Sequence, residues 1–346
     1  MMKESTEKSK VKSGIVVSSR VRLARNCADY PFYAKLGLDE AVKVVDTFKS
    51  AVSKSKDNLS KKLFFVDSTK MPALEKACLV EKHLVSRDFA FKREVTGLVL
   101  SEDESISLMI NEEDHLRIQS ILEGLQISKC WENCNLVDNI IEGNVKYAYS
   151  DQLGYLTSCP TNVGTGMRVS IMVHLPALTI LGYLRNVIDT VNKLGITVRG
   201  LYGEGSDFMG NLYQFSNQIS LGQPEEEIIT KMEIIAQRII EQEEFARQKL
   251  LETRIQLEDR LFRSYGIFSN ARILSSNECM KLLSDVRLGI ELGIIKNIDM
   301  EVINDLMVVT QPANLQKHYQ SILTSIERDI KRAELIREKL GGVLNV

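Results

Sequence analysis

The chain has 346 residues, a formal net charge of −2 and 26% charged residues in runs of mixed sign. That length is long for one domain and comfortable for two, and the near-neutral balance excludes a broad basic surface for nucleic acid. No apolar run approaches the ~18 residues that a membrane helix needs, and the six cysteines lack disulfide-framework spacing, so the pattern predicts a reduced, cytoplasmic protein without a membrane partner.

Residues 1–13 are polar and rich in Lys and Ser, which predicts a disordered tail with no apolar signal core. From residue 14 the run Ile15-Val16-Val17 leads into a strand in which Arg20 and Arg22 share one face while Val21 and Leu23 share the other. Two arginines on one face read either as a solvated edge strand with salt bridges or as an anion site. Asp39 to Lys54 is amphipathic, with Ala41, Val44, Val45, Phe48 and Val52 at helical spacing. Leu63 to Val66 reads as a short strand, and Pro72 opens a helix to about Leu84 with His83 near its end. Val95 to Ser101 and Ser105 to Ile110 alternate as a hairpin joined by Glu102-Asp103-Glu104. The second strand runs into Asn111-Glu112-Glu113-Asp114-His115. Three adjacent acids beside an apolar strand end form either an acidic turn in water or a site that holds a cation. Residues 119–142 are mixed in period, with Leu122 to Ile141 mainly helical.

The stretch Cys159-Pro160-Thr161-Asn162-Val163-Gly164-Thr165-Gly166-Met167-Arg168 reads as a loop that follows a helix-like polar segment and feeds an alternating strand. Gly164 and Gly166 would let backbone N–H groups approach an anion, Asn162 and Thr165 add donors, and Arg168 adds a fixed charge. Cys159 at the mouth would be favoured as thiolate by that positive environment. A tight turn around a buried cysteine is the other reading. Pro176 starts a helix through Lys193, Ile196 to Tyr202 forms a strand ending in Gly203-Glu204-Gly205, and Asn211 to Leu221 forms a further strand. Pro224-Glu225-Glu226-Glu227 marks a helix N-terminus, its acids well placed against the dipole. Beyond it the chain is helical to Leu340, with breaks near Gly266, Gly293, Asn297 and Pro312. The expected division is therefore mixed α+β over 14–253 and all-α over 254–346. No Gly-x-x-x-x-Gly-Lys-Ser/Thr motif is present, and Asp207-Phe208-Met209-Gly210 is no protein-kinase metal motif because its glycine is displaced.

Four blocks in order, Ser18 to Asn26, Asn111 to Ile118, Cys159 to Leu178 and Arg199 to Glu204, resemble the ATP:guanidino phosphotransferases, the family of arginine and creatine kinases. The resemblance implies an antiparallel-sheet catalytic domain flanked by helices, with ATP and Mg²⁺ as cofactors. It implies nucleotide contacts at Ser19, Arg20, Arg22, Arg117, Arg168 and Arg199, with His83 stacked on adenine. Glu113 would be the general base, Glu204 the partner that orients the guanidinium, and Cys159 a thiolate that tunes it. Glu112 would order a Mg²⁺-bound water. Small-molecule members carry about a hundred further residues of helical domain before the first block; here that block begins at Ser18, which suggests an open site for arginine within a protein chain. The segments Leu282 to Ile290 and Thr310 to Leu315 resemble the bacterial protein-arginine kinases of the same family. That resemblance implies a phosphoarginine grip at Arg328, Asp329 and Arg332, although the same spacing also describes an ordinary charged helix surface. It further implies protein substrates, an activator protein, a heat-shock repressor, delivery to a Clp-type unfoldase, and a homodimer. The rival readings are a free-arginine kinase and a non-catalytic phosphoarginine adaptor.

Overall fold

The computed structural model describes residues 14–54, 62–92, 95–200, 208–296 and 298–344. Eight strands among them form one antiparallel sheet: β1 (Val16–Arg25), β2 (Leu63–Val66), β3 (Gly97–Ser101), β4 (Ile106–Ile110), β5 (Leu116–Glu123), β8 (Met167–His174), β9 (Ile196–Arg199) and β10 (Leu212–Asn217). The spatial order is β2-β3-β4-β5-β1-β8-β10-β9, so the first of the described strands lies inside the sheet, paired with β5 and β8. Two-residue strands β6 (Tyr149–Ser150) and β7 (Gly154–Tyr155) form a separate small hairpin.

The strand period of two divides the sheet into an apolar and a polar face. Val21, Leu23, Leu116, Ile118, Val169, Ile171 and Phe215 are fully buried in the main core. They meet α1 (Leu38–Lys54), α4 (Ile127–Glu142) and α7 (Glu225–Glu252). Each such burial contributes roughly 1.5–3 kcal/mol, which fixes the register, because a slip by one residue would turn the whole apolar set outward. On the polar face Arg22 lies opposite Gln119 of β5 and Arg168 of β8, Arg20 lies opposite Ser170, Ala24 opposite Arg117, and Gln214 opposite Arg199.

The other helices are α2 (Ala73–Glu81), α3 (Arg87–Phe91), α5 (Pro176–Ile180), α6 (Leu184–Lys193), α8 (Arg254–Asn270), α9 (Ser276–Glu291), α10 (Met300–Val309), α11 (Pro312–His318) and α12 (Ser325–Leu344). α7 and α8 meet at Thr253, and one continuous core runs from Ile15 in the sheet region to Leu340 in α12.

Five expectations change. Residues 116–123 are a strand rather than the approach to a helix, because β5 is paired along its length with β4 and β1. The segment Pro176 to Lys193 is two helices, broken at Gly182, whose φ of 73° ends the first. Gly266 lies inside α8 and breaks nothing, and the loop at Cys159 follows the β6–β7 hairpin, not a helix. Finally, α2 stops at Glu81, and His83 adopts a φ of 60° beyond it.

Candidate active site

The polar face of the sheet floors a cleft of about 1000 Å³. Arg20, Arg22, Arg117, Arg168 and Arg199 all line it, carried by four different strands. Alternation and register account for the convergence: Arg20 and Arg22 project the same way from β1, and Arg168 and Arg117 lie beside that row. Burial, together with Arg117 and Arg168, lowers the Arg20 pKa to about 10. Burial again, with Arg20, Arg117 and Arg168 adding to it and Glu112 opposing, pushes Arg22 well below its ordinary value. Arg22 Nε is also buried with no hydrogen-bond partner among the described residues. Crowded guanidiniums with an unused donor form a site that a polyanion would complete, since guanidinium forks fit phosphoryl oxygens and hold their charge at neutral pH.

At one wall stands the acidic turn between β4 and β5, opened by Asn111 at a φ of 60°. Sequence alone asked for a cation beside all three acids; the structure treats each differently. Glu112 is 4% exposed, and its Oε1 accepts from Arg117 Nη1 (2.7 Å) and Ser86 Oγ (2.6 Å). Its Oε2 accepts from the Glu113 N–H (2.7 Å). Burial pushes the Glu112 carboxyl upward, but the Arg117 charge, Ser86, the Glu113 amide and Lys92 outweigh it and hold the carboxyl below its usual range. Asp114 is buried on neutral donors, Asn26 Nδ2 (2.7 Å) and the Ser158 N–H (2.6 Å). Glu112 and Glu113 both line the cleft, but Glu113 is the more exposed, at 45%, with Arg117 Nη2 3.5 Å away. Burial raises its pKa; Arg117 opposes that rise while Asp114 and Glu112 add to it.

Opposite this turn the loop at Cys159 closes the cleft. Cys159 is partly exposed, lines the cleft, and has Sγ 3.1 Å from Thr161 Oγ1. Asp114 ties the residue before the thiol to the residue after Glu113, so the two walls share one buried carboxylate. Gly166 lines the cleft, and both glycines also permit close backbone packing. Gly164 exchanges backbone bonds with Tyr155, and a Cβ on it would lie 2.6 Å from the Ser220 carbonyl; Gly166, at a φ of 65°, would press on the Ala24 carbonyl. Close backbone packing, not an anion, requires Gly164. Beneath the loop Arg25, 1% exposed, donates to Asp138 (2.6 Å) and the Thr165 carbonyl (2.9 Å), its guanidinium 3.6 Å from the Tyr155 ring centroid.

His83 also lines the cleft, and burial, reinforced by Arg20 and Arg87, lowers its pKa to about 3, so its ring is neutral. Ser19 is not brought there. It sits on the opposite face of β1, fully buried, donating to the Gly124 carbonyl (2.8 Å) and accepting from the Gln126 N–H (2.9 Å). Glu204 lies outside the described residues. Arg328, Asp329 and Arg332 fall on α12, away from the cleft lining. Arg332 is 1% exposed and donates to the carbonyls of Thr310 (2.8 Å) and Leu274 (2.7 Å) and to Asp329 (2.6 Å). Its guanidinium braces the helical region, a use that helix-surface spacing does not reveal. Gln119, Ser86, Arg87 and Lys92 line the cleft as well, and sequence reasoning missed them. The signal for Gln119 is its place two residues after Arg117 on the same strand face, hidden because residues 119–142 are mixed in period.

A family model for the ATP:guanido phosphotransferase C-terminal catalytic domain matches residues 43–246. The chain belongs to the ATP:guanido phosphotransferases. A second family model, described as the protein-arginine kinase McsB C-terminal domain, matches residues 254–345. The protein-arginine kinase of Geobacillus stearothermophilus is 48% identical over 329 residues, covering 95% of this chain and 91% of that one. That of Bacillus subtilis is 46% identical over 334 residues, covering 96% and 92%. Among solved structures, the duplicated taurocyamine kinase of Schistosoma mansoni, with bound transition-state-analogue components, aligns with a TM-score of 0.59 at 25% identity. That alignment covers 67% of this chain and 33% of the duplicated one, so this chain spans about a third of that protein's length. A lombricine kinase shares the fold at a TM-score of 0.59 and 22% identity, covering 67% of each chain. As in these phosphotransferases, the chain has an antiparallel sheet with flanking helices, and no described helix is long and apolar enough to cross a membrane.

Proposed function

We propose that this chain is a protein-arginine kinase that transfers the γ-phosphoryl group of ATP to guanidino groups of arginine within proteins. The observation that carries this reading is the meeting of five arginines, Glu113 and Cys159 in one cleft, in a chain related along nearly its whole length to protein-arginine kinases. The arginines hold the triphosphate and offset charge on the phosphoryl in flight. His83, kept neutral, offers a flat face to the base.

A guanidinium is a poor nucleophile because it stays protonated. Glu113 holds the fork in line with the γ-phosphorus and accepts an N–H proton as the N–P bond forms and the bond from γ-phosphorus to the ADP oxygen breaks. Glu204 orients the other edge of the guanidinium. The Cys159 sulfur lies against the acceptor and tunes it electrostatically, without forming a covalent intermediate.

No group of three metal-ligating side chains exists among the described residues, and both oxygens of Glu112 are engaged. This donor set fits a Mg²⁺ ion carried on the nucleotide phosphates, with Glu112 reached through water. The ion would neutralise phosphate charge.

On this reading residues 14–253 form the catalytic unit and 254–346 a partner-binding unit with a phosphoarginine contact at Arg328 and Asp329, while Arg332, which the family likeness also suggested, is buried behind them and holds Asp329 in place. Arg328 is half-buried and offers a second guanidinium one turn from Arg332. The wider roles, in a cytoplasmic stress response through an activator, a heat-shock repressor, a Clp-type unfoldase and a homodimer, follow from the family resemblance. The deciding experiment is phosphorus NMR at neutral pH with Mg·ATP, comparing free L-arginine with an unfolded arginine-rich protein. A phosphoramidate signal with the protein alone is expected. A signal with free arginine, or none with either, overturns the reading.

A further inference from the structure

Glu81, the last residue of α2, turns its carboxylate away from the cleft and into α11. Oε1 accepts the Ala313 N–H (2.7 Å), while Oε2 accepts the Asn314 N–H (2.9 Å) and Nδ2 (2.8 Å). Burial raises the Glu81 pKa against the pull of those bonds and of Arg332. α11 has seven residues, too few to hold its own shape in water, so this contact largely fixes its first turn.

Both sides of the contact are tied onward. Toward the cleft, α2 ends in two reverse bonds, His83 N–H to the Val80 carbonyl and Leu84 N–H to the Leu79 carbonyl, both 2.9 Å. They place His83 at its left-handed φ of 60°, a conformation that costs a side-chain-bearing residue about 1–2 kcal/mol. Gln119 Nε2 then grips the His83 carbonyl (2.8 Å) and Ser107 Oγ the Leu84 carbonyl (2.7 Å). Away from the cleft, Arg332 holds the Thr310 carbonyl, two residues before α11 begins. The helical region is thus joined to the cleft wall by hydrogen bonds at every link from Arg332 to His83.

We propose that Glu81 is a positioning residue for nucleotide binding: it anchors the His83 turn of the cleft to the C-terminal helices through α11. The inference rests on the nucleotide reading of the cleft. Without the carboxylate, α2 loses its hold on α11, the left-handed turn at His83 relaxes, and the base loses its platform.

The test is direct titration of ATP, with no acceptor present, against the full-length wild type, Glu81→Ala, Glu81→Gln and Asn314→Ala. The expected result is a Kd for ATP raised about five- to tenfold in Glu81→Ala and less in Glu81→Gln, which keeps one acceptor. Asn314→Ala, changed on the far side of the contact, moves in the same direction. The double variant Glu81→Ala/Asn314→Ala binds no more weakly than Glu81→Ala alone. The number of ATP sites per chain stays constant in all of them while the Kd rises; a general loss of folded protein would instead lower the number of sites and leave the Kd of the folded remainder unchanged. ATP affinity unchanged in Glu81→Gln and Asn314→Ala overturns the proposal, even if Tm falls. Should Glu81→Ala fail to fold, those two milder variants still decide. A wild type that binds no ATP refutes the kinase reading instead, so the two failures are distinguishable.

Discussion

Replacing Glu113 with Gln separates chemistry from stability. The side chain is 45% exposed and its ion pair with Arg117 is long, at 3.5 Å, so the substitution costs at most about 1 kcal/mol of folding stability. Glutamine keeps the shape and one acceptor but cannot take the proton. Loss of a general base lowers kcat by about 10²- to 10⁴-fold, or roughly 3–5 kcal/mol of transition-state stabilisation. On the proposed reading the arginines grip the nucleotide, so ATP affinity should hold. Burial and the neighbouring acids raise the Glu113 pKa, so the acid limb of the wild-type rate profile should lie above the ordinary glutamate range. The residual rate of the variant should lack that limb. The assay is ADP release with a protein acceptor at saturating ATP, across pH, alongside a thermal melt. Turnover within threefold of wild type refutes the assignment of Glu113 as base.

Glu112→Gln should show the opposite signature, a loss of roughly 3–5 kcal/mol in denaturant melts, because Arg117 loses its buried carboxylate partner. The folded pKa of Glu112 is depressed, so its contribution is present above the unfolded glutamate pKa and fades as pH falls through the lower folded value. The stability gap between wild type and variant should therefore shrink below about pH 4. Arg25→Met strands Asp138 in the core and should cost a similar 3–5 kcal/mol, measured by denaturant titration. Gly164→Ala, at a φ of 112° and against the Ser220 carbonyl, should lower both Tm and phosphoryl transfer as the Cys159 loop shifts, read by calorimetry and ADP release. Cys159→Ser should leave Tm within about 1 °C while lowering kcat, since the partly exposed thiol hydrogen-bonds to Thr161 and serine can keep that bond; an unchanged kcat would remove the thiol from the mechanism.

The arginine face was legible because strand alternation is enough to put Arg20 and Arg22 together opposite Val21 and Leu23. Glu113 stood out among its neighbours only through family likeness, since three adjacent acids look alike on the page. What separates them is long-range: Glu112 meets Ser86 and Asp114 meets Ser158, partners that no local pattern discloses. β5 escaped detection because Ile121 interrupts its alternation, and pairing with strands on both sides overrides that weak local signal. Ser19 matched a family block yet faces the wrong side of β1. Arg332 looked like a surface charge because helical spacing identifies neighbours along one helix and says nothing of the carbonyls of Leu274 and Thr310 packed against it.

The interior position of β1 also bears on how the chain is made. This strand leaves the ribosome before either partner: β5 begins only at residue 116 and β8 only at residue 167. At 5–20 residues per second, the segment carrying Arg20 and Arg22 waits on the order of ten seconds for both neighbours. During that interval Val21 and Leu23 have no sheet to join, and loop-closure entropy over such separations makes the eventual pairing slow. Charged residues beside exposed aliphatic ones oppose edge-to-edge association, so Arg20 and Arg22 are expected to make the waiting segment less prone to aggregate than Val21 and Leu23 alone would.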